Sequence, residues 1–229
     1  MTYEFDIVSW IRSYHIIETP VYGHGRLHND YGRGFYCTEC DELAKEWAVG
    51  EHRDGFVNCY SLDTAELKIL NLNDNLFTPM HWLNILLQNR IFDILTPLER
   101  EAKKYISENY AVPVEQADLV IGYRADDSYF SYARDFIGGV ISYEQLAKAL
   151  KLGNLGIQIC IKSERAFRKL KYVGSEKVLS EEWYPKKILR DRNARAGYRD
   201  MEKEEYHKGE LYISRMIDEE MKADDLRIR

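Results

Sequence analysis

The chain has 229 residues, 45% of them hydrophobic and 31% charged, with a formal net charge of −6. That length and apolar content suffice for one globular domain with a buried core, and exclude disorder as the dominant state. The acidic balance excludes a protein that coats nucleic acid by charge alone, while local contact with RNA or DNA stays open.

The opening stretch MTYEFDIVSWIRSYH carries no basic leader followed by an apolar run, and nowhere do eighteen uncharged apolar residues follow one another. The expectation is a cytoplasmic protein with no membrane anchor. The first part of the chain reads as strand and loop. GFYCT at 34–38 is short, aromatic and glycine-led, and Thr38 followed by Asp41 resembles a capping box opening a helix with Leu43, Ala44, Trp47 and Ala48 on one face. FVNCYSL at 56–62 and LKILNL at 67–72 alternate around a polar turn, which predicts an antiparallel hairpin. Thr78 before Pro79 and Thr96 before Pro97 each supply an N-cap and a first-turn proline, predicting helices over 79–95 and 97–109.

DLVIGY at 118–123 reads as a buried strand, followed by a helix over Ser128 to Phe136 and another opened by Ser142 with Gln145 as its box partner. IQICIK at 157–162 is β-rich, then come a short helix around Ala166 to Leu170 and a last strand near Tyr172 and Val173. From Lys186 the chain is charged, with sparse apolar positions such as Ile188, Leu189, Tyr198, Leu211, Ile213, Met216 and Met221, the pattern of loosely packed helices forming a solvated appendage. No repeat or low-complexity stretch divides the chain.

Cys37, Cys40, Cys59 and Cys160 are read as free thiols. Cys37 and Cys40 form a lone CxxC pair without a second ligand pair, so no metal is expected, and a redox role ranks behind buried apolar cysteine.

The most specific signal is SYHIIETPVYGHGRLHNDYGRGFYCTECDELAKEWA. With DYGRGFYCT at 30–38, AKEWA at 44–48, ADLVIGYRADDSYF at 117–130, GGVISYEQLAKAL at 138–150 and IQICIKSERAFRKLKYV at 157–173, it resembles a bacterial domain family of the ADP-ribosyltransferase superfamily, over roughly residues 12 to 175. The resemblance implies an α+β fold with a split, mostly antiparallel β-core and flanking helices over 1–178, and a charged helical extension over 179–229. It implies that NAD binds in the cleft of that core as substrate. It implies a mono-ADP-ribosyltransferase of toxin or defence type, acting on a protein or nucleic acid, with a neutralising antitoxin as a further partner.

Carried over by position, the superfamily's three marker residues become His15, Tyr36 and Gln158. An imidazole at His15 can hydrogen-bond a ribose hydroxyl, and the Tyr36 ring offers nicotinamide a stacking face. Ile16 stands where a glycine backbone often contacts the nicotinamide amide, and its N–H can serve. Gly34 and Phe35 join this cofactor-facing set, and Arg33, flanked by glycines, is a candidate for the pyrophosphate or target. Gln158 stands where a glutamate is usual, and a carboxamide cannot act as a base. Asp126, Asp127 and Glu164 are the carboxylates considered for that charge, with Asp126 and Asp127 favoured because they follow a buried strand. His24 with Gly25 is a rival to His15, judged too near Tyr36 for an intervening strand. Taken alone, Tyr36 reads as a core aromatic, Gln158 as a polar strand position and Arg33 as an exposed turn residue. Without the missing carboxylate, the alternative is a catalytically weak NAD or ADP-ribose binding module working through a protein partner.

Overall fold

A computed structural model of the protein describes residues 4–124, 127–152, 156–204 and 208–228. It is α+β: strands β1 (Glu4–Ser13), β2 (Phe35–Thr38), β3 (Gly55–Asp63), β4 (Ile69–Asn71), β5 (Leu119–Tyr123), β6 (Ile157–Ile161) and β7 (Leu170–Val178) form one mixed sheet in the order β4-β5-β6-β2-β1-β3-β7. Every pairing is antiparallel except β4 with β5. The helices are α1 (Asp41–Ala48), α2 (Pro79–Asn89), α3 (Pro97–Asn109), α4 (Asp127–Ile137), α5 (Tyr143–Ala149), α6 (Glu164–Arg168), α7 (Ser180–Glu202) and α8 (Ile213–Asp218). Among the described residues no helix is long and apolar enough to cross a membrane.

Strand alternation divides the core. Tyr36, Val120 and Cys160 face the principal cluster beneath α2 to α5, α7 and α8, while Phe35, Cys37, Leu119, Ile159 and Ile161 face a second cluster with Ala166 of α6. Local signals explain many helix starts. Thr96 accepts from Glu99 N at 3.1 Å while Glu99 accepts from Thr96 N at 2.7 Å, and Ser142 and Gln145 close the same reciprocal box.

Four expectations are corrected. The hairpin does not form: β3 is paired on both edges, by β1 and β7, so β4 runs parallel to β5, from Ile69↔Leu119 to Asn71↔Ile121. Asp118 fixes that placement, accepting from Lys68 N at 2.7 Å through its carboxylate and donating its own N–H to Lys68 O at 2.8 Å. The helix after Thr78 stops at Asn89 rather than 95, where Asn89 Nδ2 turns to Ile85 O (2.9 Å) and Asp30 O (3.3 Å). The N-cap of α1 is Cys40, because the Thr38 hydroxyl is engaged with Ile157 O (3.0 Å) and Cys40 N (3.1 Å). The C-terminal helices are no solvated appendage: Tyr198, Met201, Leu211, Ile213, Met216, Met221 and Ile228 all belong to the principal core.

Candidate active site

β1 and β2 meet only at Val8↔Thr38 and Ser9↔Cys37. Beyond Ser9, β1 stays with β3, rejoining it at Ser13↔Phe56 after an irregularity in register. The sheet therefore parts between the end of β1 and the head of β2. A cavity of about 680 Å³ is lined by Ile17 from just past β1 and by Phe35 and Tyr36 of β2. Cofactor and small-molecule sites span roughly 300–1,000 Å³, so this volume is ample.

The stretch 14–34 that joins the two strands has no helix or strand of its own, and long irregular connections in compact domains are commonly functional. It is nevertheless anchored. Ile17 N donates to Asn58 Oδ1 at 2.9 Å, and the Tyr60 hydroxyl donates to Ile17 O at 2.5 Å. Gly25 lies so close to the Gly34 backbone that no Cβ would fit between them. The stretch delivers His24, Arg26 and Asp30 to the cavity.

The polar floor is built on β6 and β5. Gln158, paired with Gly122, is 1% exposed and donates through Nε2 to Asp30 Oδ2 at 2.8 Å and to the Tyr123 carbonyl at 3.1 Å. That carbonyl also accepts from the Tyr31 hydroxyl (2.6 Å) and Trp82 Nε1 (3.2 Å). Two acceptors fix which end of the amide carries nitrogen, so Oε1 is the remaining atom, and it is buried with no hydrogen-bond partner. A buried acceptor in the wall of a cavity is a place for a ligand's donor. Asp30 is itself 5% exposed, with Arg90 Nε 3.7 Å from Oδ1.

Tyr36 is 6% exposed, and its hydroxyl donates to Gly32 O at 2.7 Å while accepting from Tyr31 N at 3.0 Å. Burial, reinforced by the neighbouring Cys160 and Asp30, pushes this phenol well above its ordinary value, so it stays protonated. Tyr36 thus lines the cavity as a neutral phenol. Burial likewise pushes the Cys160 thiol up to about 12 and the Cys37 thiol upward, which makes both inert.

The cavity is rich in cations. Arg26, Arg90, Arg124 and Arg195 line it, against the carboxylates of Asp30 and Asp191. Arg124, directly after β5, places its guanidinium 3.0 Å from the centroid of Trp47 on α1, and Lys187 Nζ of α7 lies 4.2 Å from that same centroid. The adjoining Glu46, 2% exposed, forms a two-pronged ion pair with Arg190 of α7 at 2.8 and 2.9 Å. The AKEWA segment thus fastens α7 beside the cavity, which is how Asp191 and Arg195 come to line it.

Of the residues singled out in the sequence, Gly34, Phe35, Tyr36 and Gln158 line one cavity. His15 is exposed, two residues before Ile17, and is not among the lining residues; His24 is. The spacing objection to His24 fails because the whole 14–34 stretch is loop, with no strand to accommodate. Ile16 is 49% exposed. Arg33 is exposed and lines a separate depression with Lys162 and Ser163. Asp126 lies outside the described residues, and of Asp127 only the backbone, opening α4, is described. Glu164 points elsewhere, into an exposed pair with Arg168 at 2.5 Å. The carboxylate beside Gln158 is Asp30, the first residue of the DYGRGFYCT segment, and sequence reasoning passed over it, as it did Arg90, Arg124 and Arg195. Among the described residues no three His, Cys, Asp or Glu side chains gather as metal ligands.

A family model described as "Protein of unknown function (DUF3990)" matches residues 8–172. No curated protein and no solved structure matches the chain.

Proposed function

The chain belongs to the DUF3990 family, and from that premise we propose that it is an NAD-dependent mono-ADP-ribosyltransferase, a toxin or defence effector that moves ADP-ribose from NAD to a protein or nucleic acid. The observation that carries this reading is the cavity at the parting of β1 and β2, which an aromatic ring, a buried carboxylate and several arginines line together. The limited pairing of β1 with β2 supports the finer reading of the fold, a core split as in ADP-ribosyltransferases.

The chemistry asked of such a site is modest in parts and demanding in placement. The bond between nicotinamide nitrogen and ribose C1′ breaks, the electron pair leaves with nicotinamide, and positive charge develops at C1′ and the ring oxygen. An acceptor oxygen or nitrogen then bonds to C1′ and gives up a proton. The ring of Tyr36, on the same face of the sheet as Gln158, suits a flat pyridinium. Gln158 cannot take a proton, but it holds Asp30, whose carboxylate offsets the developing charge and can receive the acceptor's proton. Gln158 Oε1 is free to accept from a ribose hydroxyl. The imidazole expected at His15 has its counterpart within the cavity in His24. A neutralising antitoxin belongs to this reading as a partner that covers the cavity mouth.

The test incubates the full chain and its Asp30→Asn variant with NAD labelled in the adenylate and a cell lysate, following free nicotinamide and label in protein and nucleic-acid fractions. The wild type releases nicotinamide and labels one fraction, which identifies the acceptor class, and the variant turns over at least about a hundredfold more slowly. Free ADP-ribose without labelled macromolecule points to hydrolysis. NAD binding without turnover replaces the transferase with the binding module.

A further inference from the structure

The depression that Arg33 lines adjoins the cavity, for Gly34 and Phe167 border both. Its volume is about 520 Å³. The β2–β6 register brings its two cations to adjoining strand ends: continued one residue beyond Phe35↔Ile161, it sets Gly34 opposite Lys162, with Arg33 next along. The flanking glycines make that placement possible. Gly32 has a φ of +76°, which favours glycine, and a Cβ at Gly34 would collide with Cys160 Sγ and Ile161 O. The turn that carries Arg33 is thereby held against β6.

Lys162, its side chain 9% exposed, donates through Nζ to the Tyr31 carbonyl at 2.7 Å. An ammonium has three donors. The carboxylate of exposed Glu115 lies 3.8 Å away, beyond hydrogen-bonding distance. Among the described residues, donors of this nine-tenths-buried ammonium are left unspent, and exposed Arg33 has no hydrogen bond or ion pair. A guanidinium fork and an ammonium opening on one depression suit phosphate oxygens.

Beside the cations the loop after β1 exposes aromatic and apolar surface. Tyr22 and Leu27 are exposed and line the same depression, and the Tyr22 ring stands edge-on to Phe167 with 5.5 Å between centroids. An open aromatic ring with cations alongside is the means by which single-stranded nucleic acid is held: phosphates meet the cations and an unstacked base meets the ring. A duplex keeps its bases stacked on one another, and a phosphorylated peptide brings no base for the ring. We infer that this depression holds the acceptor, and that the acceptor is a single strand of RNA or DNA, with a phosphate on Arg33 and Lys162 and a base on Tyr22. This rests on the NAD reading for the transfer, not for the binding of the strand. A nitrogen or hydroxyl of the strand reaches past Gly34 and bonds to C1′ as nicotinamide leaves with its electron pair, and its proton passes to Asp30.

The experiment follows fluorescence anisotropy of a dye-labelled, mixed-sequence strand of about 12 nucleotides, as RNA, as DNA and as the matching duplex. Four full-length chains are compared: wild type, Arg33→Gln, Tyr22→Ala and Arg100→Gln. Arg100 is an exposed arginine of α3 that lines neither the cavity nor the depression, so its variant carries the charge change alone. Wild type binds a single strand more tightly than the duplex, and the tighter of RNA and DNA is the acceptor. Arg33→Gln weakens that strand about tenfold and makes the fall of log affinity with log salt shallower by about 0.7, the share of one phosphate. Tyr22→Ala weakens it about tenfold with the salt slope unchanged, and Arg100→Gln matches wild type. Equal affinity and slope in wild type and Arg33→Gln, or a duplex bound as tightly as the single strands, overturns the inference. Labelled NAD is then added to the bound strand. Label on the strand supports both readings, and a bound strand left unlabelled while nicotinamide is released overturns its role as acceptor. A strand bound through Arg33 while NAD stays intact keeps the strand site and sinks the NAD reading. NAD turned over by a chain that binds no strand overturns the inference alone; with neither, both fall. Unfolding midpoints of the variants matching wild type exclude loss of fold as the cause.

Discussion

At position 158 a glutamate could not simply take the place of the glutamine. The Gln158 amide donates to the Asp30 carboxylate at 2.8 Å, and a Gln158→Glu variant would set two buried carboxyls against one another across that gap. Such a pair holds one proton between its members, because both cannot ionise together. The added carboxyl's folded pKa then lies above its unfolded value of about 4.3. Stability is therefore untouched below that pH and lost as pH rises towards the raised value. Urea denaturation across pH should find the variant close to wild type near pH 4 and weaker by about 1–3 kcal/mol at pH 7; a deficit independent of pH would mean that Asp30 is not ionised beside it. The pair also shows what the sequence could and could not carry. DYGRGFYCT was visible as a segment and marked Tyr36 and Gly34. Asp30 and Gln158 stand 128 residues apart, and only the β2–β6 pairing brings them together. Just after β5, among the described residues, the cavity is lined by Arg124, which no motif marks in the sequence.

Helix α7 was legible as a helix and misread as to its inner face. Hydrophobic periodicity assumes that burial means an apolar neighbour. Here the N-terminal half of α7 docks on Glu46 and Trp47 and on the cavity wall, where charge and cation–π contact replace apolar packing. Glu46→Ala should cost about 2–3 kcal/mol in chemical denaturation, since it removes the two-pronged carboxylate from a mostly buried Arg190, and should expose α7 to limited proteolysis before the rest of the chain. The hairpin between β3 and β4 was unreadable for another reason: a polar link between alternating runs does not say which edges are vacant, and β3 has none. Asp118 decides where β4 goes. Burial pushes its carboxyl up, but Arg165, the Ser163 hydroxyl and the Lys68 amide together hold it below the usual carboxylate range. A depressed folded pKa contributes stability present above the unfolded value of about 3.9 and lost as pH falls through the folded one. Asp118→Asn should accordingly be less stable than wild type by about 1–3 kcal/mol at pH 7, with the difference vanishing as acid titrates the wild-type carboxyl. A constant difference down to the lowest pH would remove the ion pair as its cause.

At the scale of the whole molecule, the stretch matched by the family model and the residues after it share a core. Tyr198, Met201, Leu211, Ile213, Met216, Met221 and Ile228 pack into the principal cluster with Trp82, Tyr110 and Phe136. Burying each such side chain contributes about 1.5–3 kcal/mol, so losing all seven removes as much as the net stability of a typical domain, about 5–15 kcal/mol. A chain ended after Val178 should show no cooperative thermal transition by circular dichroism; a sharp melt near that of the full chain would contradict the shared core. The order of the strands has a further consequence for how the protein comes into being. Pairs such as Tyr36↔Cys160 and Asn58↔Ser175 close the sheet across more than a hundred residues. Such pairings must wait for both partners to leave the ribosome. Strands β1, β2 and β3 emerge early, and β2 and β3 stay without their outer neighbours until β6 and β7 follow, with Arg195 later still. The cavity therefore has no floor until β6 has been made, and the side chains of α7 join its lining only after that.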